Sequence, residues 1–243
     1  MSNNDIKANG ILINAQFGIF FKEMVIKPEV ELWQPVSSLF DFDTPIIVPV
    51  PIDESLGDIP IVQATVQKNS SNNQLRVTIS RKRMDIYVDG FGDQTYIEPL
   101  EQLADIVEKI FTKVEDFVDV SRIGLIVRSF YQDDDSNKSL SKLLNKKLIE
   151  KHGSRKVVVD TFVRYVTRDK VGSVDINNYT EYQPFTARIV SESGATNPAG
   201  ILLVRDINTS PEDDISKNVN SEFALKFIND VKPLLDFPEF KLW

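Results

Sequence analysis

Residues 95–118 read TYIEPLEQLADIVEKIFTKVEDFV. Thr95 and Glu98 stand at the spacing of a capping box, and Pro99 follows early in the helix. Leu100, Leu103, Ile106, Val107, Ile110, Phe111, Val114, Phe117 and Val118 then recur mostly at intervals of three and four. The spacing predicts one amphipathic helix over 97–118 whose stripe covers a sheet. A second stripe, with Phe223, Ala224, Phe227, Ile228, Val231, Leu234 and Leu235, predicts a helix over 219–235 that Pro233 kinks or ends early. Each helix closes a stretch of short runs rich in Ile, Val, Phe and Tyr. The expected fold is therefore α+β, with two antiparallel sheet-plus-helix halves in a pseudo-two-fold arrangement. The halves are residues 1–118 and 119–243, fused into one domain.

Between Ile11 and Phe21 apolar residues alternate, which predicts a strand with one buried face. Glu23–Pro60 carries six prolines, at 28, 35, 45, 49, 51 and 60, which remove ladder donors and block helix. It reads as an ordered extended segment with one edge strand at Ile46–Val50. Ile61–Gln67, Leu75–Ser80 and Met84–Val88 read as strands joined by a polar loop at 68–73 and by Arg81-Lys82-Arg83. Arg122–Tyr131, Val157–Val166, Phe185–Ser191 and Gly200–Ile207 are the strands expected in the second half. Leu140–Lys151 reads as a short helix and Asp169–Asn178 as a polar loop. Ser210-Pro211-Glu212-Asp213 reads as a helix start.

Composition narrows the chemistry. The chain of 243 residues has no cysteine and one histidine, so disulfides, thiolate metal sites and cysteine nucleophiles are excluded. A formal charge of −8 argues against general nucleic-acid binding, where Lys and Arg face phosphates. Met1–Asp5 lacks the pattern of a signal peptide, and the apolar run Ile11–Phe21 is too short and polar to span a bilayer. The expectation is a soluble cytoplasmic protein with no membrane contact.

No glycine-rich phosphate loop and no G-x-S-x-G elbow occurs. His152 in Glu150-Lys151-His152-Gly153 reads as a cation at a helix C-terminus. Asp133-Asp134-Asp135 and Glu212-Asp213-Asp214 are the acid clusters that can offer oxygen ligands, but neither has calcium-loop spacing. Asp41 and Asp43, flanking Phe42, read as loop residues. No cofactor, metal site or catalytic residue is expected.

Two basic groupings stand out as candidate binding residues. Arg81, Lys82 and Arg83 form the densest cluster, read either as a solvated turn or as a grip on a phosphate or acidic partner. Changing all three to Ser is expected to weaken that association and leave the melting temperature nearly unchanged. Lys146, Lys147, Lys151, Arg155 and Lys156 read as solvated. Arg128, Asp160, Arg164, Arg205 and Asp206 all fall inside expected strands, where a charge must pair or face solvent. They are read as cross-strand pairs on one sheet face, with a ligand or partner site as the alternative.

Arg122-Ile123-Gly124-Leu125-Ile126-Val127-Arg128 and Ile201-Leu202-Leu203-Val204-Arg205-Asp206-Ile207-Asn208 carry a resemblance. A basic residue, Ile or Val, and Gly in a strand after a long helix, then a late strand running into an acidic loop and a final helix, resembles a sporadically distributed family of uncharacterised prokaryotic proteins of about this length. The proline-rich segment and Asp206-Ile207-Asn208 depart from that layout. The resemblance implies a similar fold and nothing catalytic; the patchy distribution implies mobile-element or defence and counter-defence settings. The expected function is a non-enzymatic protein-interaction module or accessory subunit that binds another protein. The alternatives are a small-ligand sensor with a pocket between sheet and helix and, more remotely, a carboxylate-metal phosphodiester hydrolase.

Overall fold

A computed structural model describes residues 11–67, 74–89, 97–143, 162–191, 194–210 and 219–235. Its strands are β1 (Ile11–Phe21), β2 (Ile46–Ile47), β3 (Val62–Gln67), β4 (Gln74–Ile79), β5 (Arg83–Asp89), β6 (Val120–Gln132), β7 (Val163–Val171), β8 (Val174–Thr186), β9 (Ile189–Ser191), β10 (Gly194–Thr196) and β11 (Ala199–Thr209). Nine of them make one antiparallel sheet in the order β2-β3-β4-β5-β1-β6-β11-β8-β7. β9 and β10 form a separate hairpin.

The two separate sheets expected from sequence are thus one. The join is the pairing of β1 with β6, which runs from Ile11↔Phe130 to Phe21↔Val120. Both are central strands, so their backbone N–H and C=O groups are paired on both sides. The sheet crosses the boundary between residues 118 and 119.

The long helix expected at 97–118 is α2 (Ile97–Val114), preceded in the chain by the short α1 (Gln34–Ser37). The helix expected at 219–235 is α4 (Ser221–Val231), continued by a tight turn at Lys232–Leu235 where Pro233 ends regular winding. Asn220 caps it by accepting from Phe223 N at 2.9 Å. Leu103, Val107, Ile110, Phe111 and Val114 of α2 and Ala224, Phe227, Ile228 and Val231 of α4 are buried. They pack on Phe17, Ile19, Ile86, Ile123, Leu125 and Ile207 from one face of the sheet in a single core. Glu115 accepts from Ser221 N at 2.9 Å, which fixes the start of α4 against the end of α2. Phe117, counted in the stripe, lies beyond α2 and is 57% exposed.

Three local expectations change. Glu29–Ser37 winds helically despite Pro28 and Pro35, which fall at the start of their turns where proline is tolerated. Leu32, Trp33 and Val36, at helical spacing, are buried there, and the edge strand shortens to Ile46–Ile47. Asp169–Asn178 is not a loop. β7 and β8 run through it and pair from Val163↔Tyr182 to Val171↔Val174, with Gly172 at φ 61° supplying the turn. The short helix starts earlier than expected, as α3 (Ser136–Leu143), after Asp133 accepts from Asp135 N at 2.8 Å. Thr95, residues 68–73, the continuation of α3 to Lys151, Val157–Asp160 and the Pro211–Asp214 helix start lie outside the described residues. No helix of the described residues is long and apolar enough to cross a membrane.

Candidate functional site

Period two sends alternate side chains of each strand to opposite faces. The odd residues of β1, Ala15, Phe17 and Ile19, face the helices. The even ones, Asn14, Gln16, Gly18 and Phe20, face the other way, where no described helix packs. Register extends this second face across the sheet. One row runs Asp85, Gly18, Gly124, Asn208, Asn177, Arg168. The next runs Arg76, Tyr87, Gln16, Ile126, Asp206, Tyr179. A third runs Asp89, Asn14, Arg128, Val204, Glu181, Arg164. Among the described residues the sheet therefore has an apolar face under helices and a polar, arginine-rich face without them.

Gly18 and Gly124 lie side by side on the central strands. A Cβ on Gly18 would stand 3.3 Å from Asp85 Oδ1, and one on Gly124 would stand 3.1 Å from Asn208 Cβ. The glycines leave a low saddle between two concavities. The first, of about 290 Å³, lies over β4 and β5 and includes Arg76, Thr78, Arg83, Asp85 and Tyr87. The second, a groove of about 440 Å³, takes Arg122 from β6, Arg164 and Arg168 from β7, Asn177 and Tyr179 from β8, and Asp206, Asn208 and Ser210 at the end of β11.

The two differ in charge balance. In the first, Arg83 Nε donates to Asp85 Oδ2 at 2.7 Å and Gln16 Nε2 donates to Oδ1 at 2.9 Å. Burial works to lower the Arg83 pKa, but the Asp85 hydrogen bond and charge outweigh it and the net shift is upward. Arg76 lies 3.8 Å over the Tyr87 ring with its Nε 3.7 Å from Asp89 Oδ2. Burial raises the Asp89 pKa against the opposing pull of Arg76, Asn14 and Arg128.

In the groove, none of the ion pairs among the described residues involves Arg122, Arg164 or Arg168. Arg122 lies 4.1 Å over the Phe20 ring and Arg164 5.7 Å from the Tyr179 centroid. The groove carboxylate, Asp206, already accepts from Asn208 Nδ2 at 3.0 Å.

The structure brings Arg164 and Asp206 together in this groove. It places Arg128 on the same face, where it donates to Asn14 Oδ1 at 3.0 Å and Gln16 Oε1 at 3.3 Å. Arg205, one residue from Asp206, necessarily points to the opposite face and is buried there, so the five-residue network expected on one face does not form. Asp160 lies outside the described residues. The basic turn is also different from the solvated tip expected. Arg81 is 6% exposed, and its Nη1 and Nη2 donate to the Pro51 and Val50 carbonyls, each at 2.8 Å. Lys82 Nζ donates to the Glu54 carbonyl at 2.8 Å. These groups fasten the proline-rich segment, and Arg83 belongs to the first concavity.

Sequence reasoning missed Arg168 and Tyr179, and it used Arg122 and Asn208 only as motif residues. The available signal was parity: Arg164 and Arg168 share a face in any strand containing both. At the sheet–helix interface Phe17, Leu103, Val107, Ile110 and Phe227 pack with no exposed surface. Among the described residues no group of three or more His, Asp or Glu is placed to hold a metal ion. His152, the basic residues 146–156 and the acids 212–214 lie outside the described residues.

No family model matches the chain, and no curated protein matches it. Among solved structures, the apo structure of immunity protein TplEi of T6SS from Pseudomonas aeruginosa aligns at 12% identity over 90% of this chain and 92% of that one, with a TM-score of 0.16. A TM-score at that level carries no argument for fold or function.

Proposed function

We propose that this chain is a non-enzymatic interaction module, an accessory subunit that docks an acidic partner protein on the helix-free face of its sheet. The observation that carries the reading is the groove holding Arg122, Arg164 and Arg168 in a chain whose formal charge is −8. A positive patch on a negative background steers an acidic surface to one place and one register, and repels it elsewhere. A mobile-element or defence setting is part of the proposal and rests on the family resemblance, and a cytoplasmic one rests on the signal-peptide and apolar-run reading of the sequence. A pseudo-two-fold relation of the halves is also proposed, from the helix that follows each strand set, and strand order supports it. β1 lies beside β5 and then β4, as β6 lies beside β11 and then β8, and each half ends in a helix.

The test is a comparison of three tagged chains in affinity purification from the native host: wild type, Arg164→Glu/Arg168→Glu, and Lys109→Glu/Lys113→Glu. The last pair changes charge equally on the exposed side of α2. A protein retained by wild type and by the α2 variant, and lost from the groove variant, is the expected result. A partner that still binds the folded groove variant sinks the reading.

A further inference from the structure

We propose that the groove over β6, β11, β8 and β7 is a binding site for a phosphoryl group borne on a larger molecule. This deepens the interaction reading and rests on it only in taking the helix-free face as the functional one. The two concavities contrast in how their arginines are paired. Over β4 and β5 each guanidinium has a carboxylate: Arg83 has Asp85 at 2.7 Å and Arg76 has Asp89 at 3.7 Å. Over β7 and β8, Arg164 and Arg168 form no ion pair with a carboxylate among the described residues. Arg164 stands directly across from Glu181 in register, yet the two form no ion pair, and the guanidinium lies toward Tyr179 instead. Arg168 stands across from the amide Asn177. In a chain with 36 acidic residues against 28 basic ones, Arg164 and Arg168, which form no ion pair among the described residues and share a groove with the single described carboxylate Asp206, make a site for an external anion.

The number of donors selects the anion. Each guanidinium carries five N–H donors in a fixed fork, and one fork already satisfies both oxygens of a carboxylate. Arg164 and Arg168 stand four residues apart on one face of β7, and two such forks fit a group with three terminal oxygens and nearly two negative charges, which is a phosphate monoester. Asp206 opposes bare inorganic phosphate but can accept from a hydroxyl, amine or amide next to the phosphoryl group. The site is therefore matched to an ester, with Asp206 reading its neighbouring donor. A free phosphate ester and a phosphorylated side chain of a partner protein present this same chemistry.

Calorimetric titration of the full chain at about 50 mM ionic strength tests this, because screening is weak there. The probes are inorganic phosphate, glycerol 3-phosphate, and a phosphoserine peptide with its Ser and Glu versions. The expected result is saturable one-to-one binding of an ester or phosphopeptide, at least about tenfold tighter than the Ser and Glu peptides. Arg164→Gln/Arg168→Gln should weaken it at least about tenfold with an unchanged melt, and the single change Arg168→Gln gives a milder variant of the same test. Asp206→Asn should narrow the preference for ester over inorganic phosphate. A phosphopeptide preferred over glycerol 3-phosphate assigns the site to a partner protein, and the reverse order to a free ester; either upholds the site. Absence of saturation below about 10 mM, or equal affinity in the folded double variant, overturns it. If phosphate binding fails while Arg164→Glu/Arg168→Glu still loses its partner, this site falls and the partner reading stands. If phosphate binds while that variant keeps its partner, the reverse holds.

Discussion

Phe227→Ala should lower stability by about 3–5 kcal/mol, the range for truncating a buried aromatic side chain. Phe227 is fully buried on the inner side of α4, and its ring meets Phe17 of the central strand edge-on at 6.4 Å and 73°. Ile228 and Val231 of the same helix are equally buried, and α2 packs alongside. The floor beneath is a strand paired on both sides, so it cannot collapse into the void that Ala leaves. Loss of the edge-to-face pair adds about 0.5–1.5 kcal/mol of geometry-specific interaction to the area term. A urea melt should show a lower midpoint with an unchanged slope. Phe117→Ala is the matched control. That ring is 57% exposed beyond the end of α2, and its loss should stay within about 0.5 kcal/mol. Equal effects at the two positions would show that α4 does not form the lid of this core.

Arg81→Ala should cost about 2–4 kcal/mol, against the expectation that the basic turn can be stripped with no change in melting temperature. The guanidinium reaches the carbonyls of Val50 and Pro51 at 2.8 Å and that of Ile26 at 3.5 Å. Its own carbonyl accepts from Val25 N at 2.9 Å. One side chain thus ties the segment after β1 to the proline-rich segment, which has few ladder bonds of its own because β2 is two residues long. A hydrogen bond to a charged group is worth about 1.5–3 kcal/mol, but Pro51 is exposed and water can replace part of the loss there. Faster amide exchange should concentrate in residues 45–60. Lys82→Ala, whose bond to Glu54 is at the surface, should cost under about 1 kcal/mol. A melt of Arg81→Ala that coincides with wild type would refute the clamp.

These two sites also show what was legible in the sequence. α2 and α4 carry their burial as a three-and-four stripe, and the strands of the first half carry theirs as alternation, because each element has one face in the core. β7 carried its mark only at its start, inside the strand expected at 157–166. Its residues 167–170 are all exposed, so neither face registers as apolar there, and its turn into β8 reads as polar loop. That left Arg168 beyond the expected strand and Asn177 inside the expected loop. Arg81 was hidden for another reason: its partners are backbone carbonyls 30, 31 and 55 residues away, which no side-chain pattern announces. The pairing of Gly18 with Gly124 is equally non-local, being set by register between strands from different halves.

The central claim is that the arginine-rich face is accessible in the folded chain. Labelling the folded chain with the arginine-selective reagent phenylglyoxal, read residue by residue by peptide mass spectrometry, tests it most directly. Arg164 and Arg168 are exposed and should label fast, while Arg81 and Arg205, each 6% exposed, should label only on unfolding. Protection of Arg164 and Arg168 as strong as that of Arg81 would contradict the account, because the face would then be covered within the chain itself.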